Sequence, residues 1–269
     1  VRLIALAACL AFSQFPVAAI ENSPQTFFSS GCAHPKSAGH FPELQAADAV
    51  IRFGWSEIEA ARTYASISYD RNDVFLNAFG GTTGAARLLY QLDATLFAQT
   101  SRPNLETIQS EQVEAYSNMT NTISISGNGT SLSSKKENSR GKPAKWKNIP
   151  VTPARDLFAS MLFVRSQTLL PGDEVAILVF PGGLPFYVII KSIGAEFLTV
   201  SGVRWDALKL DIRIQQVNVK KGNALEPHTK FQSGKIWISN DTQRIPLRAE
   251  VNIFIGYVFA ELVSWKNHE

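Results

Sequence analysis

The sequence predicts a mainly β protein, a curved antiparallel sheet or half-barrel meander with one or two packed helices, and three observations carry that prediction. From Arg244 the chain alternates strictly, with Ile245, Leu247, Ala249, Val251 and Ile253 on one face and Arg244, Pro246, Arg248, Glu250 and Asn252 on the other, which is the period of a half-buried strand. Short apolar runs recur at hairpin spacing with Gly and Pro at the joints, which favours a meander over βαβ units. Two stretches, from Gly84 and from Pro153, instead carry apolar residues at helical spacing.

In chain order, Val1 to Ala19 reads as an export leader: Arg2 gives a basic start, Leu3 to Phe12 an apolar stretch, and Val17-Ala18-Ala19 a small-residue cleavage pattern. A second reading of the same stretch is open, because Leu6-Ala7-Ala8-Cys9 spells a lipoprotein box that would leave Cys9 acylated. Cleavage after Ala19 leaves Cys32 as the remaining cysteine and so allows no internal disulfide. Residues 20–47 are rich in Ser, Pro, Gly and His and read as a linker or N-terminal arm. His34 and His40 lack a third ligand nearby, so no metal site is expected there. Residues 48–266 form a single β-rich domain with a basic loop at 127–149.

Within that domain, Ala49 to Ile58, Ala61 to Tyr69 and Val74 to Phe79 are the first strands. Gly80-Gly81-Thr82-Thr83-Gly84 lacks the Lys-Ser/Thr of a phosphate loop and reads as a strand-to-helix turn. A helix from Gly84 to Leu92 places Ala85, Leu88, Leu89 and Leu92 in one stripe, although Leu88 to Leu96 also fits alternation. Asn104 to Ser126 predicts another hairpin. Lys135, Lys136, Arg140, Lys142, Lys145 and Lys147 then stand against the single acid Glu137, with Trp146 among them. That run suits anionic lipid or nucleic acid, but it reads as a solvated hairpin tip and linker.

Thr152-Pro153 supplies an N-cap with proline at the first helical position. The helix to Gln167 carries Leu157, Met161 and Val164 on one face with Phe158 and Leu162 beside them, and Phe163 almost opposite, so it is buried on two sides. Arg165 projects from the apolar stripe and requires a carboxylate or carbonyls to meet it, which points to a core ion pair with Asp241 or Glu250, or to a ligand-anchoring cation. Glu174 to Phe180, Pro185 to Ile193, Glu196 to Ser201 and Leu208 to Val217 continue the meander. Lys220 to Gln232 reads as a polar loop before the closing hairpin, Lys235 to Ser239 and onward to Trp265.

The series Gly80 to Gly84, Asp156-Leu157 to Arg165, Tyr187-Val188 to Glu196, then Trp237-Ile238-Ser239-Asn240-Asp241 with Arg244-Ile245-Pro246-Leu247 and Gly256, resembles domain of unknown function family 3108. The resemblance implies an exported, β-rich envelope protein, often a lipoprotein, in which Asp156, Trp237, Asp241, Arg244, Pro246 and Gly256 are structural. A looser fold-level likeness links the chain to lipoprotein-carrier half-barrels, in which a curved sheet wraps helices.

Composition narrows function further. The net charge of +3 becomes +2 without Arg2 and demands no nucleic acid. There is no Gly-x-Ser-x-Gly or His-Glu-x-x-His motif, and only His228 and His268 lie outside the arm, so neither catalytic residue nor cofactor is expected. No other segment approaches the roughly 20 apolar residues of a membrane span. The chain is therefore read as an exported protein of the periplasm, or peripheral to the outer membrane. Its expected role is binding of an apolar or lipid-like ligand, with Leu157, Phe158, Met161, Leu162 and Arg165 either lining that ligand or simply filling the core; the alternative is a structural or interaction component that meets envelope proteins.

Overall fold

The computed structural model describes residues 45–129, 131–141, 144–149, 155–218, 221, 223–227, 233–253 and 256–268. The leader, Cys9, Cys32, His34, His40, Thr152, Pro153 and His228 lie outside them.

The first half of the chain is a meander. Strands β1 (Ala47–Trp55), β2 (Ile58–Tyr69) and β3 (Asp73–Thr82) are followed by the short helix α1 (Gly84–Leu89). Strands β4 (Leu92–Ser101), β5 (Thr107–Tyr116), β6 (Thr120–Gly127), β7 (Leu132–Asn138) and β8 (Lys147–Ile149) complete that half. After helix α2 (Leu157–Ser166) come β9 (Glu174–Val179), β10 (Phe186–Val200), β11 (Val203–Asn218), β12 (Ala224–Pro227), β13 (Ser233–Ser239), β14 (Pro246–Asn252) and β15 (Tyr257–Asn267). All join one antiparallel sheet in the order β8 to β1, then β15, β14, β13, β11, β10 and β9, with β12 attached to β11. The first and last strands pair from Ala47 opposite Asn267 to Trp55 opposite Val258, so they weld the two halves together.

Small residues on the inner face allow the curvature. Across the meander, Ala49, Ala65, Ala78 and Leu96 stand in register, and Ala47, Ile67, Leu76 and Ala98 form the next inward row. Against that face lies α2, whose Phe158, Leu162, Phe163 and Val164 are buried among Val175, Ile177, Val188, Leu208, Leu210 and Ile238. The opposite face of β9 and β10 is buried too: Ala176, Leu178, Phe180 and Tyr187 pack on Ile123, Ile125 and Leu132 of β6 and β7. The two ends of the sheet thus overlap by side-chain packing and close a barrel-like roll. Burial on both faces explains the unbroken apolar runs Val175 to Phe180 and Phe186 to Ile190. Gly182 makes the overlap possible, since a Cβ there would sit 2.4 Å from Ile123 Cγ2 at a φ of +96°.

Several sequence expectations are corrected. The first helix stops at Leu89 with no buried residue, and Leu88 and Leu89 are 89% and 83% exposed. Of the expected stripe, Ala85, Leu88 and Leu89 stay on this exposed helix, while Leu92 is an inward residue of β4 together with Ala94 and Ala98. The second helix begins at Leu157, where Asp156 caps it by accepting from the Ala159 amide at 2.8 Å. Part of the basic run is strand: β7 and β8 pair with each other, and Lys135 meets Glu137 at 2.8 Å. The polar loop before the closing hairpin contains β12.

Candidate functional site

Of the two readings of Leu157, Phe158, Met161, Leu162 and Arg165, ligand lining or structural core, their packing matches the core. Phe158 and Leu162 are buried, while Leu157 and Met161, one turn apart, are half-buried against the same cluster. Arg165 is 4% exposed, and its partners are carbonyls: Nε donates to Arg244 O at 2.9 Å and Nη2 to Gln243 O at 2.7 Å. The expected ion pair is therefore corrected. Glu250 pairs with Arg248 at 2.8 Å, and Asp241 acts by building the loop. Its Oδ1 accepts from the amides of Gln243 and Arg244 at 2.9 and 3.0 Å and from Ser239 Oγ at 2.7 Å. That turn sets Arg244 at a φ of +50° and aims two carbonyls at the guanidinium. Burial still pulls the Arg165 guanidinium down to about 10, with Asp241 opposing.

The other motif residues also have structural places. Trp237 Nε1 donates to Glu196 Oε1 at 2.7 Å, Pro246 opens β14 opposite Ile238, and Gly256 turns the chain into β15 at a φ of +77°. Sequence reasoning missed Arg155, which is 4% exposed and ties α2 to the β4–β5 turn through Leu105 O at 2.8 Å and Asn104 O at 3.1 Å. Its guanidinium stacks on Phe163 at 4.0 Å, and burial lowers it to about 10.

The open concavities lie on the other side of the sheet. Outward residues Val50, Tyr64, Phe79, Thr95 and Val113 stand in one cross-strand row over β1 to β5. Tyr64 and Phe79 stack at 5.2 Å with their planes 18° apart, and Phe79 remains 60% exposed. Two grooves, of about 620 and 570 Å³, meet along this pair, and Tyr64, Phe79 and Thr95 line both. The first runs toward α1 past Arg62, Gly81, Asp93 and Thr83; the second runs the other way past Asp48, Ser66, Asn77 and Phe97.

Gly80 and Gly81 permit the tight sheet beneath: a Cβ on Gly80 would lie 2.4 Å from Arg62 O, and one on Gly81 would lie 2.5 Å from Asp93 Oδ1. The glycine loop therefore serves strand packing. The charged side chains at the groove's end are already matched. Arg62 holds Glu59 through two hydrogen bonds of 3.0 and 2.9 Å, and Arg87 holds Asp93 through two of 2.8 and 2.9 Å. The Arg87 contact keeps the Asp93 carboxyl below the usual range.

Two further clusters hold buried charge. On the outer face Glu261, 2% exposed, lies between Arg52, at 2.6 Å, and Arg248, which also holds Glu57 at 2.7 Å. On the inner face Glu114, also 2% exposed, accepts from Tyr116 Oη and from Gln112 Nε2, the latter at 2.7 Å. Each buried carboxylate is satisfied by neighbours, the arrangement of structural charge networks. Among the described residues no group of three or more His, Cys, Asp and Glu could hold a metal, and no helix is long and apolar enough to cross a membrane.

A rolled antiparallel sheet around one buried helix, with an aromatic groove outside, defines a β-barrel-like protein. The chain belongs to the family described as protein of unknown function DUF3108, whose profile matches residues 48–263. Among solved structures it is similar to a β-barrel-like protein of the DUF1849 family from Brucella abortus, with a TM-score of 0.56 and 8% identity over 84% of this chain and 99% of that one. A candidate lipoprotein from Parabacteroides distasonis also matches, with a TM-score of 0.34 and 9% identity over 86% of this chain and 100% of that one. So does a candidate exported protein with a YmcC-like fold from Bacteroides fragilis, at a TM-score of 0.34, 8% identity, and the same two coverages of 86% and 100%. No curated protein matches the chain.

Proposed function

We propose that the protein is a non-catalytic binder of an apolar or lipid-like ligand, exported to the cell envelope. The observation that carries this reading is the stacked Tyr64–Phe79 pair standing between two grooves of about 620 and 570 Å³. Volumes of this size suit a small organic molecule or part of an acyl chain. An exposed aromatic pair offers apolar area with few rotamers to lose on binding. Glu59 and Asp93, the carboxylates at one end, are each occupied by an arginine, which favours recognition over acid–base chemistry. Export rests on the leader pattern of Val1 to Ala19.

The ligand seat is thereby shifted from α2 to the outside of β1 to β5. Titration with a fluorescent long-chain fatty acid checks it: Phe79→Ala and Tyr64→Ala are expected to weaken binding by about five- to tenfold each, with thermal stability little changed. Unaltered binding in both, together with weakened binding in Leu157→Ala and Met161→Ala, would return the seat to the helix.

A further inference from the structure

We infer that the end of the roll carrying α1 and the β1–β2 turn is a bilayer-docking tip, in which Leu88, Leu89 and Ile58 enter a lipid surface. This rests on the apolar-ligand reading above and names the surface that ligand would come from. The three side chains are 89%, 83% and 65% exposed, so no described residue covers them. They come from separate elements brought to one end: α1 spans the β3–β4 connection, Ile58 opens β2, and the Thr83 amide donates to Ala60 O at 2.9 Å.

Three observations select a bilayer over another protein. The apolar side chains stand out as knobs on two turns, far short of the roughly 800 Å² per partner that a stable protein interface buries. Knobs of this kind suit the upper acyl region of a membrane, which takes apolar side chains without a matching shape. The charges around them are paired, Arg87 with Asp93, Arg62 with Glu59, and Glu57, next to Ile58, with Arg248; arginines so placed also suit the headgroup level. Finally, the tip is continuous with the groove: Glu59, Arg62, Thr82 and Thr83 line the first concavity and also flank Ile58 and α1. A lipid leaving a bilayer at Leu88 and Leu89 would meet Phe79 next.

Co-flotation of the protein, purified from its own envelope, with vesicles of phosphatidylcholine alone and of phosphatidylcholine with phosphatidylglycerol tests this. The parent should float with both, and Leu88→Asp/Leu89→Asp should lower the vesicle-bound fraction at least about tenfold. Ile58→Asp should lower it less, and Tyr69→Asp, at the other end of β2, should not change it. Because all four positions are exposed, circular dichroism should report unaltered folding. Phe79→Ala separates the two readings: it should weaken fatty-acid binding about five- to tenfold while flotation persists unchanged. A parent that stays in solution, a leucine double variant that floats like the parent, or sedimentation showing a dimer that the double variant dissolves would each overturn the docking tip.

Discussion

Single side chains decide how the helix is anchored, and Asp156 is the most informative of them. Its carboxylate caps α2, yet burial holds its carboxyl above the ordinary value of 3.8. A carboxyl raised in the folded state favours folding while protonated, so its contribution falls as pH climbs from about that ordinary value and is a net cost once the folded form ionises. Asp156→Asn keeps the acceptor and removes the charge. It should be at least as stable as the parent at pH 7 in urea unfolding, whereas Asp156→Ala should lose about 1 kcal/mol; an Asn variant weaker than the Ala variant would contradict this.

Asp241 is the second such residue. Removing three accepted hydrogen bonds from the turn that feeds Arg165 should cost about 2–4 kcal/mol in Asp241→Ala, read by the same unfolding curves. Sequence alone placed Arg165 in the apolar stripe, because helical spacing fixes that. It could not show that backbone carbonyls meet the guanidinium, since their aim depends on the positive φ of Arg244.

At the level of elements, the overlap of β9 and β10 on β6 and β7 closes the roll without hydrogen-bonded pairing between them. Gly182 is its tightest point. Gly182→Val should cost about 2–4 kcal/mol, from strain at positive φ and from collision with Ile123, and should speed amide exchange in β9 before β1 and β15. Uniform acceleration across the sheet would show that the overlap is not a separate unit. The alternating strands and the breaks at Gly and Pro were legible in the sequence because their period is local. The end of α1 was not, since Leu88 to Leu96 satisfies both periods and only pairing with β3 and β5 resolves them. The outward aromatic row was hidden for a related reason: Tyr64 and Phe79 lie in separate strands, and register alone makes them neighbours.

For the whole molecule, the interior is filled by α2, and the exposed aromatic pair Tyr64–Phe79 and the exposed Leu88, Leu89 and Ile58 lie outside it. This distribution supports the proposal that an apolar ligand is held on the sheet rather than within it. Native mass spectrometry of protein purified from its own envelope, before and after mild organic extraction, tests that most directly. The account predicts a lipid-sized extra mass that extraction removes and that the Phe79→Asp variant lacks. A bare parent mass across repeated preparations, or an extra mass retained unchanged by Phe79→Asp, would contradict it.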